Sequence, residues 1–301
     1  MRVVSLLPTA TEIVYSLGLQ DSLVGVTDEC DQPDGAPVTI VSRCVLASDL
    51  TAADIDRAVS AAEHDGTSLY EIDPGVLSSL APDVILTQDL CPVCALPASQ
   101  AEQAVHESSC AANVISLDPH SVGDVLASIR MVADVLGASA NGEALVADLR
   151  TQMDRVRRAV EGVPRPTVLG LEWGDPPWGA GHWVPEMIRI AGGQPVLANE
   201  GVDSQRISWD DIAAAEPDVV VFMPCSYGLP GAVEQARALF AHPEFVATPA
   251  VSAGRVFATD AERYFSRSGP HIVDGIELLA GLVQPQRWTA PAADAAVQIS
   301  R

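Results

Sequence analysis

The chain carries one short passage twice, and that repetition restricts its fold more than anything else in it. Ala81-Pro82-Asp83-Val84-Ile85-Leu86 runs on to Cys91, and Glu216-Pro217-Asp218-Val219-Val220-Val221-Phe222 runs on to Cys225. In each copy a helical stretch ends at a Pro-Asp turn, an apolar run too short for a helix follows, and a polar loop bearing a cysteine comes next. Apolar runs of this kind are parallel strands covered on both faces, so two similar α/β halves are expected. Ligands of open α/β sheets gather beyond the carboxyl ends of the strands, so both loops are expected to face one crevice.

At 301 residues the chain exceeds what one core usually holds, which agrees with two domains. The expected plan is an N-terminal α/β lobe over residues 1–120, connecting helices over 121–163, a C-terminal α/β lobe over 164–290 and a loosely held tail over 291–301. Within the connection, Leu145, Val146, Leu149, Met153 and Val156 recur near helical spacing. They predict a spine helix over residues 141–160, about 30 Å long at 1.5 Å per residue. Thr9-Ala10-Thr11-Glu12 reads as a capping box that opens the first helix. Asp73-Pro74 and Ser208-Trp209-Asp210-Asp211 read as two further helix starts.

Charge and residue types exclude several functions. Forty acidic residues against 17 basic ones give a net charge of −23, which repels a nucleic-acid backbone or an anionic membrane surface. No apolar run approaches the roughly 20 residues that cross a bilayer, so no membrane insertion is expected. Every basic residue is an arginine, and without lysine there is no Schiff-base amine, phosphate-loop lysine or Ser/Lys dyad. A nucleophile elbow, a His-Glu-x-x-His helix and a Gly-x-Gly-x-x-Gly fingerprint are also missing. The chain opens on Met1-Arg2-Val3-Val4-Ser5 with no leader pattern, so a cytoplasmic protein is expected, or an extracytoplasmic one if a leader has been trimmed.

Two clusters of residues point to chemistry. Trp173, Trp178 and Trp183, three of the five tryptophans, fall with Glu172, Asp175 and His182 in one Gly- and Pro-rich segment read as an irregular loop. Large rings there suit a flat, bulky ligand, with Glu172 and Asp175 as hydrogen-bond acceptors; the alternative for one or two of the rings is to anchor the loop to its own lobe. Tyr264-Phe265-Ser266-Arg267 follows the last strand and adds rings to the same region. The second cluster is made of thiols: Cys91-Pro92-Val93-Cys94 has the separation of a metal or redox pair, and Cys30 and Cys225 lie on other loops predicted to reach the crevice. His182 is a candidate nitrogen ligand beside them. A metal site, a redox pair and unligated thiols all stay open, while Cys44 and Cys110 read as packing residues. The other histidines, His120 among them, show no ligand spacing.

Taken together, Val3-Val4-Ser5-Leu6-Leu7-Pro8-Thr9-Ala10-Thr11-Glu12, Leu80-Ala81-Pro82-Asp83-Val84-Ile85, Asp175-Pro176-Pro177-Trp178 and Tyr264-Phe265-Ser266-Arg267-Ser268-Gly269-Pro270 resemble the vitamin B12 and iron-chelate substrate-binding proteins of ABC importers. The likeness spans nearly the whole chain in order and is closest to the cobalamin-binding component. It implies two Rossmann-like lobes with central parallel sheets, joined by a single long α-helix, and a ligand in the cleft among aromatic side chains. It implies that Pro8, Thr9, Trp178, Tyr264 and Phe265 line the cleft; Glu172, Trp173, Asp175, His182, Trp183, Tyr227 and Arg267 join them by loop position alone. It also implies an ABC permease as partner, docked through an acidic residue on each lobe, for which Glu102 and Glu234 are candidates. The chain departs from the family in a longer connection over Arg43 to Asp73 and in its cysteines. Two readings follow. One is a binding protein for cobalamin or a related corrinoid or metal chelate, requiring no cofactor and performing no turnover. The other is a cytoplasmic metal- or cluster-binding protein or enzyme that uses Cys30, Cys91, Cys94 and Cys225.

Overall fold

The computed structural model describes residues 1–31, 38–46, 50, 52–65, 67–90, 96–289 and 294–301. They divide into two units, the first made of Met1–Asp118 and Leu126–Val146, the second of Pro119–Val125 and Ala147–Arg301.

The first unit is built on strands β1 (Val3–Ser5), β2 (Leu23–Thr27), β3 (Thr39–Cys44), β4 (Tyr70–Ile72), β5 (Val84–Thr87) and β6 (Asn113–Ser116), in the order β4-β3-β2-β1-β5-β6. All neighbours are parallel except the β3–β4 edge pair. Helices α1 (Pro8–Ser16), α2 (Ala52–Asp65), α3 (Pro74–Leu80) and α4 (Ala98–Ser108) flank the sheet. Val4, Leu6, Val41, Leu77, Ile85 and Leu96 form part of its core. The chain then enters α5 (Val122–Val135) and α6 (Ser139–Ala159), and two of the three boundaries between the units fall inside these helices, the third just before α5. In α6 Val146, Leu149, Met153 and Val156 are buried, as their spacing predicts.

The second unit holds β7 (Thr167–Gly174), β8 (Pro177–Gly179), α7 (Val184–Ile190), β9 (Gln194–Pro195), β10 (Gln205–Arg206), α8 (Trp209–Ala215), β11 (Val219–Phe222) and α9 (Leu229–Ala238). It continues through α10 (Pro243–Val246), α11 (Pro249–Ser252), β12 (Val256–Thr259), α12 (Ala261–Tyr264), α13 (Ile272–Val283) and β13 (Ala296–Gln298). The sheet order is β10-β8-β7-β11-β12-β13, with β9 on β7. Its centre, β7-β11-β12, is parallel, and β8, β10 and β13 are antiparallel additions. Leu169, Leu171, Val220, Phe222, Phe245 and Val256 lie in its core.

The sequence repeat is a structural repeat. Helices α3 and α8 end at Ala81 and Glu216, both in the left-handed region at φ 42° and 44°. The next Pro-Asp then enters β5 or β11, each buried along its whole length. Asp83 exchanges two hydrogen bonds with Arg2 of β1's entry, its carboxylate accepting from the Arg2 N–H at 2.7 Å and its own N–H donating to the Arg2 carbonyl at 2.8 Å. Asp218 does the same with Thr167, at 2.8 and 3.0 Å. The aspartate therefore ties the first residue of the neighbouring strand in both units, satisfying an N–H that the ladder leaves over.

Helix starts follow sequence with one exception. Asp73 accepts from the Gly75 and Val76 N–H groups, and Ser208 with Asp211 forms a capping box. The box expected at Thr9–Glu12 does not form: α1 begins at Pro8, Leu7 is its N-cap, and no side chain caps it. Proline lacks the N–H that the first helical position leaves unused, so it draws the start forward and places Thr9 inside the buried first turn. The tail is not loosely held throughout either. Ala296–Gln298 pairs with β12, and Ala295 and Ile299 are buried, because the apolar residues of Ala295-Ala296-Val297-Gln298-Ile299 close the open edge of that strand.

Candidate functional site

The best-formed candidate site belongs to the second unit, at the carboxyl ends of β7, β11 and β12. The segment expected to be irregular is a hairpin: β7 continues to Gly174, turns at Asp175-Pro176 and returns as β8. Trp173 and Trp178 are directly opposite each other in that pair, so their side chains share one face. Trp178 is half-buried, with the Arg206 guanidinium 5.6 Å from its ring centroid. Trp173 lies 5.8 Å from the ring of Tyr227, on the loop after β11. The Trp173 indole nitrogen is buried and has no hydrogen-bond partner. Asp175, at the turn, is exposed.

Glu172 braces this corner. Its carboxyl accepts from the Gly181 N–H at 3.3 Å and from the Ser204 hydroxyl, while its backbone carbonyl accepts from the Cys225 N–H at 3.1 Å. Burial pushes the carboxyl up from 4.5 to about 8; the Ser204 hydrogen bond opposes that shift and the neighbouring Cys225 thiol adds to it. At neutral pH the group is mainly a carboxylic acid, which both donates and accepts.

The remaining expected residues take several positions. Trp183 is buried, its indole donating to the Phe265 carbonyl at 3.2 Å, so its polar atom is used inside the lobe. Tyr264, Phe265 and Arg267 are also buried, and Arg267 pairs with Glu262 at 2.9 Å. The Ser226 N–H donates to the Ser266 hydroxyl at 3.1 Å, holding the loops after β11 and β12 together. His182 turns toward His120 and Asp203; burial holds its imidazole below the usual range. In the first unit Pro8 is half-buried and Thr9 buried at the start of α1.

Of the cysteines, Cys30 is buried with its sulfur 3.0 Å from the Thr11 hydroxyl, and Cys225 is half-buried beside Glu172. Cys91 and Cys94 lie outside the described residues. Among the described residues, the group of side chains able to surround a cation is His120, His182 and Asp203, not a thiol set. Sequence spacing misses it because its members are separated by 62 and 21 residues.

A sheet with a parallel centre, whose strand-end loops carry paired aromatics and an enclosed carboxylic acid, has the features of a ligand-binding site. The family described as periplasmic binding protein matches residues 3–263, and the chain belongs to that family. Among relatives, an uncharacterized ABC transporter substrate-binding lipoprotein, YvrC of Bacillus subtilis (strain 168), is 22% identical over 294 residues, covering 95% of this chain and 81% of its own length. A vitamin B12-binding protein of Pectobacterium carotovorum subsp. carotovorum (strain PC1) is 22% identical over 276 residues, covering 90% and 84%. Among solved structures, the periplasmic heme-binding protein RhuT of Roseiflexus sp. RS-1, in apo form, shares the fold with a TM-score of 0.70 at 23% identity, covering 94% of this chain and 98% of that one.

Membership makes the chain a substrate-binding protein of the ABC-importer type rather than an enzyme, so its small molecule is a ligand and not a cofactor. It also corrects the expected compartment. The family is periplasmic and the Bacillus relative is a lipoprotein, so a cytoplasmic assignment fails, and where the sequence begins does not decide the matter. Among the described residues no helix is long and apolar enough to cross a membrane.

Proposed function

We propose that this protein captures cobalamin or a related corrinoid and presents it to an ABC permease. The observation that carries the reading is the rigid aromatic hairpin, with Trp173 opposite Trp178 and Tyr227 against Trp173. Rings fixed on a strand pair cover a flat macrocycle with few torsions to freeze. The exposed Asp175 side chain, at the turn of that hairpin, suits the N–H donors of the amide-bearing rim of a corrin ring. The net charge of −23 favours such a rim over the carboxylates of haem. Names of the relatives support both ligand chemistries, since one is a vitamin B12-binding and another a heme-binding protein. Glu102 and Glu234, both exposed, are the proposed permease contacts.

The test is colour retention. Purified protein is incubated in turn with cyanocobalamin, cobinamide and haem, then desalted. Corrinoid absorbance eluting with the protein near one equivalent is the expected result. Retention of haem alone would transfer the assignment to a porphyrin, and protein that elutes colourless from all three would end it.

A further inference from the structure

A second constellation lies in the same unit. His120 precedes α5, His182 precedes α7, and Asp203 precedes β10. His182 Nε2 is 3.4 Å from Asp203 Oδ1, and His120 Nδ1 is 3.9 Å from the same oxygen. The ligand atoms of all three residues lie within 4.8 Å of one another, and the imidazole centroids are 5.8 Å apart. Around a four-coordinate zinc ion with bonds of about 2.0–2.1 Å, ligand atoms stand about 3.3–3.4 Å apart. One edge is therefore already at bonding length. The others close by rotation of His120 and Asp203, whose side chains are 46% and 74% exposed.

His182, by contrast, is held. Its N–H donates to the Val202 carbonyl at 2.7 Å and its carbonyl accepts from the Gly201 N–H at 3.0 Å, so it is clamped at both ends to the loop that carries Asp203. It sits at φ 51°, a left-handed conformation that non-glycine residues adopt at a cost and often where function requires it. Glu172 ties the two sides together through Gly181 and Ser204. An ordinary ion pair would align the imidazole with the carboxylate. Here Nε2 is buried, and its 3.4 Å approach to Asp203 Oδ1 is poorly aligned for a hydrogen bond.

We propose that His120, His182 and Asp203 form a binding site for one divalent transition-metal ion of the zinc class. Two imidazoles and one carboxylate suit zinc, cobalt(II) or nickel(II); calcium and magnesium prefer all-oxygen shells. Three protein ligands leave a fourth position for water or for a donor atom of a bound molecule. The proposal does not depend on the corrinoid reading, because it is tested with the metal ion alone.

The experiment titrates chelator-stripped full-length protein with zinc chloride by calorimetry and with cobalt(II) by absorbance. One equivalent should bind, and the cobalt form should show visible d–d bands without a thiolate charge-transfer band. His120→Ala and Asp203→Asn, both at exposed positions, should each weaken zinc binding by at least about ten-fold, while tryptophan emission and thermal midpoint stay unchanged. Absence of saturable binding would overturn the proposal. So would binding that neither substitution weakens, or a thiolate band that disappears with Cys225→Ser.

Discussion

Glu172 offers a direct test of the electrostatics of the site. Its folded-state carboxyl is raised from 4.5 to about 8, so the native state binds a proton that the unfolded chain releases. The sign follows: stability from this group is complete below the unfolded value and is lost as pH rises through the folded one. Across the whole shift the loss has an upper bound of about 5 kcal/mol at 1.36 kcal/mol per unit, of which about 2.3 kcal/mol falls between pH 6 and pH 8. His182, lowered by burial, works in the opposite direction over the same window, because its unfolded form gives up a proton as pH rises. The comparison that isolates Glu172 is therefore wild type against Glu172→Gln, which keeps the shape and cannot ionise. Urea unfolding followed by tryptophan emission is suitable, since Trp173, Trp178, Trp183, Trp209 and Trp288 all belong to the second unit. The stability difference between the two proteins should move by about 2 kcal/mol against the wild type from pH 6 to pH 8. Parallel profiles would mean that Glu172 is ionised in the native state, and the account of the site as holding a neutral acid would fall.

Other substitutions probe other parts of the structure. Trp178→Ala should weaken corrinoid binding by roughly 10–100-fold while thermal stability changes little; equal retention by the two proteins would remove the hairpin from the site. Gly181→Ala places a Cβ 2.3 Å from the Ser204 nitrogen and 2.5 Å from the Asp203 carbonyl carbon. Backbone cannot yield there, so a loss of about 1–3 kcal/mol is expected in urea unfolding, with the same midpoint as wild type as the refuting result. Asp83→Ala and Asp218→Ala should each cost about 0.5–1.5 kcal/mol, because each removes the carboxylate that accepts a strand-entry N–H. Urea unfolding followed by far-UV circular dichroism, which reports on both units, checks this, and a variant as stable as wild type would refute the role of its aspartate.

Much of the architecture was legible because it rests on local signals. The Pro-Asp-Val repeats specify a helix end, a strand start and the aspartate that ties the next strand, all within a few residues. Asp73 and Ser208 cap their helices through atoms two or three residues away. Local reading failed where a competing local term or a distant strand decided the outcome. Proline moved the start of α1 ahead of Thr9, the turn at Asp175-Pro176 folded an apparently irregular loop into β8, and the open side of β12 recruited residues 296–298.

The candidate sites divide along the same line. The concentration of tryptophans in residues 173–183 is visible in sequence, because rings on one hairpin need only that hairpin to bring them together. Which polar atoms find partners is not visible: Trp183 donates its N–H to Phe265, 82 residues away, whereas the buried Trp173 nitrogen has no partner. His120, His182 and Asp203 leave no spacing at all, since three separate loops bring them together. Sequence alone thus determined the two α/β units, their repeated strand entries and the gathering of three tryptophans in one short segment, all set by short-range hydrogen bonding, hydrophobic period and composition. Tertiary structure alone decided which side chains are spent on packing and which converge, because burial and encounter depend on segments far apart in the chain.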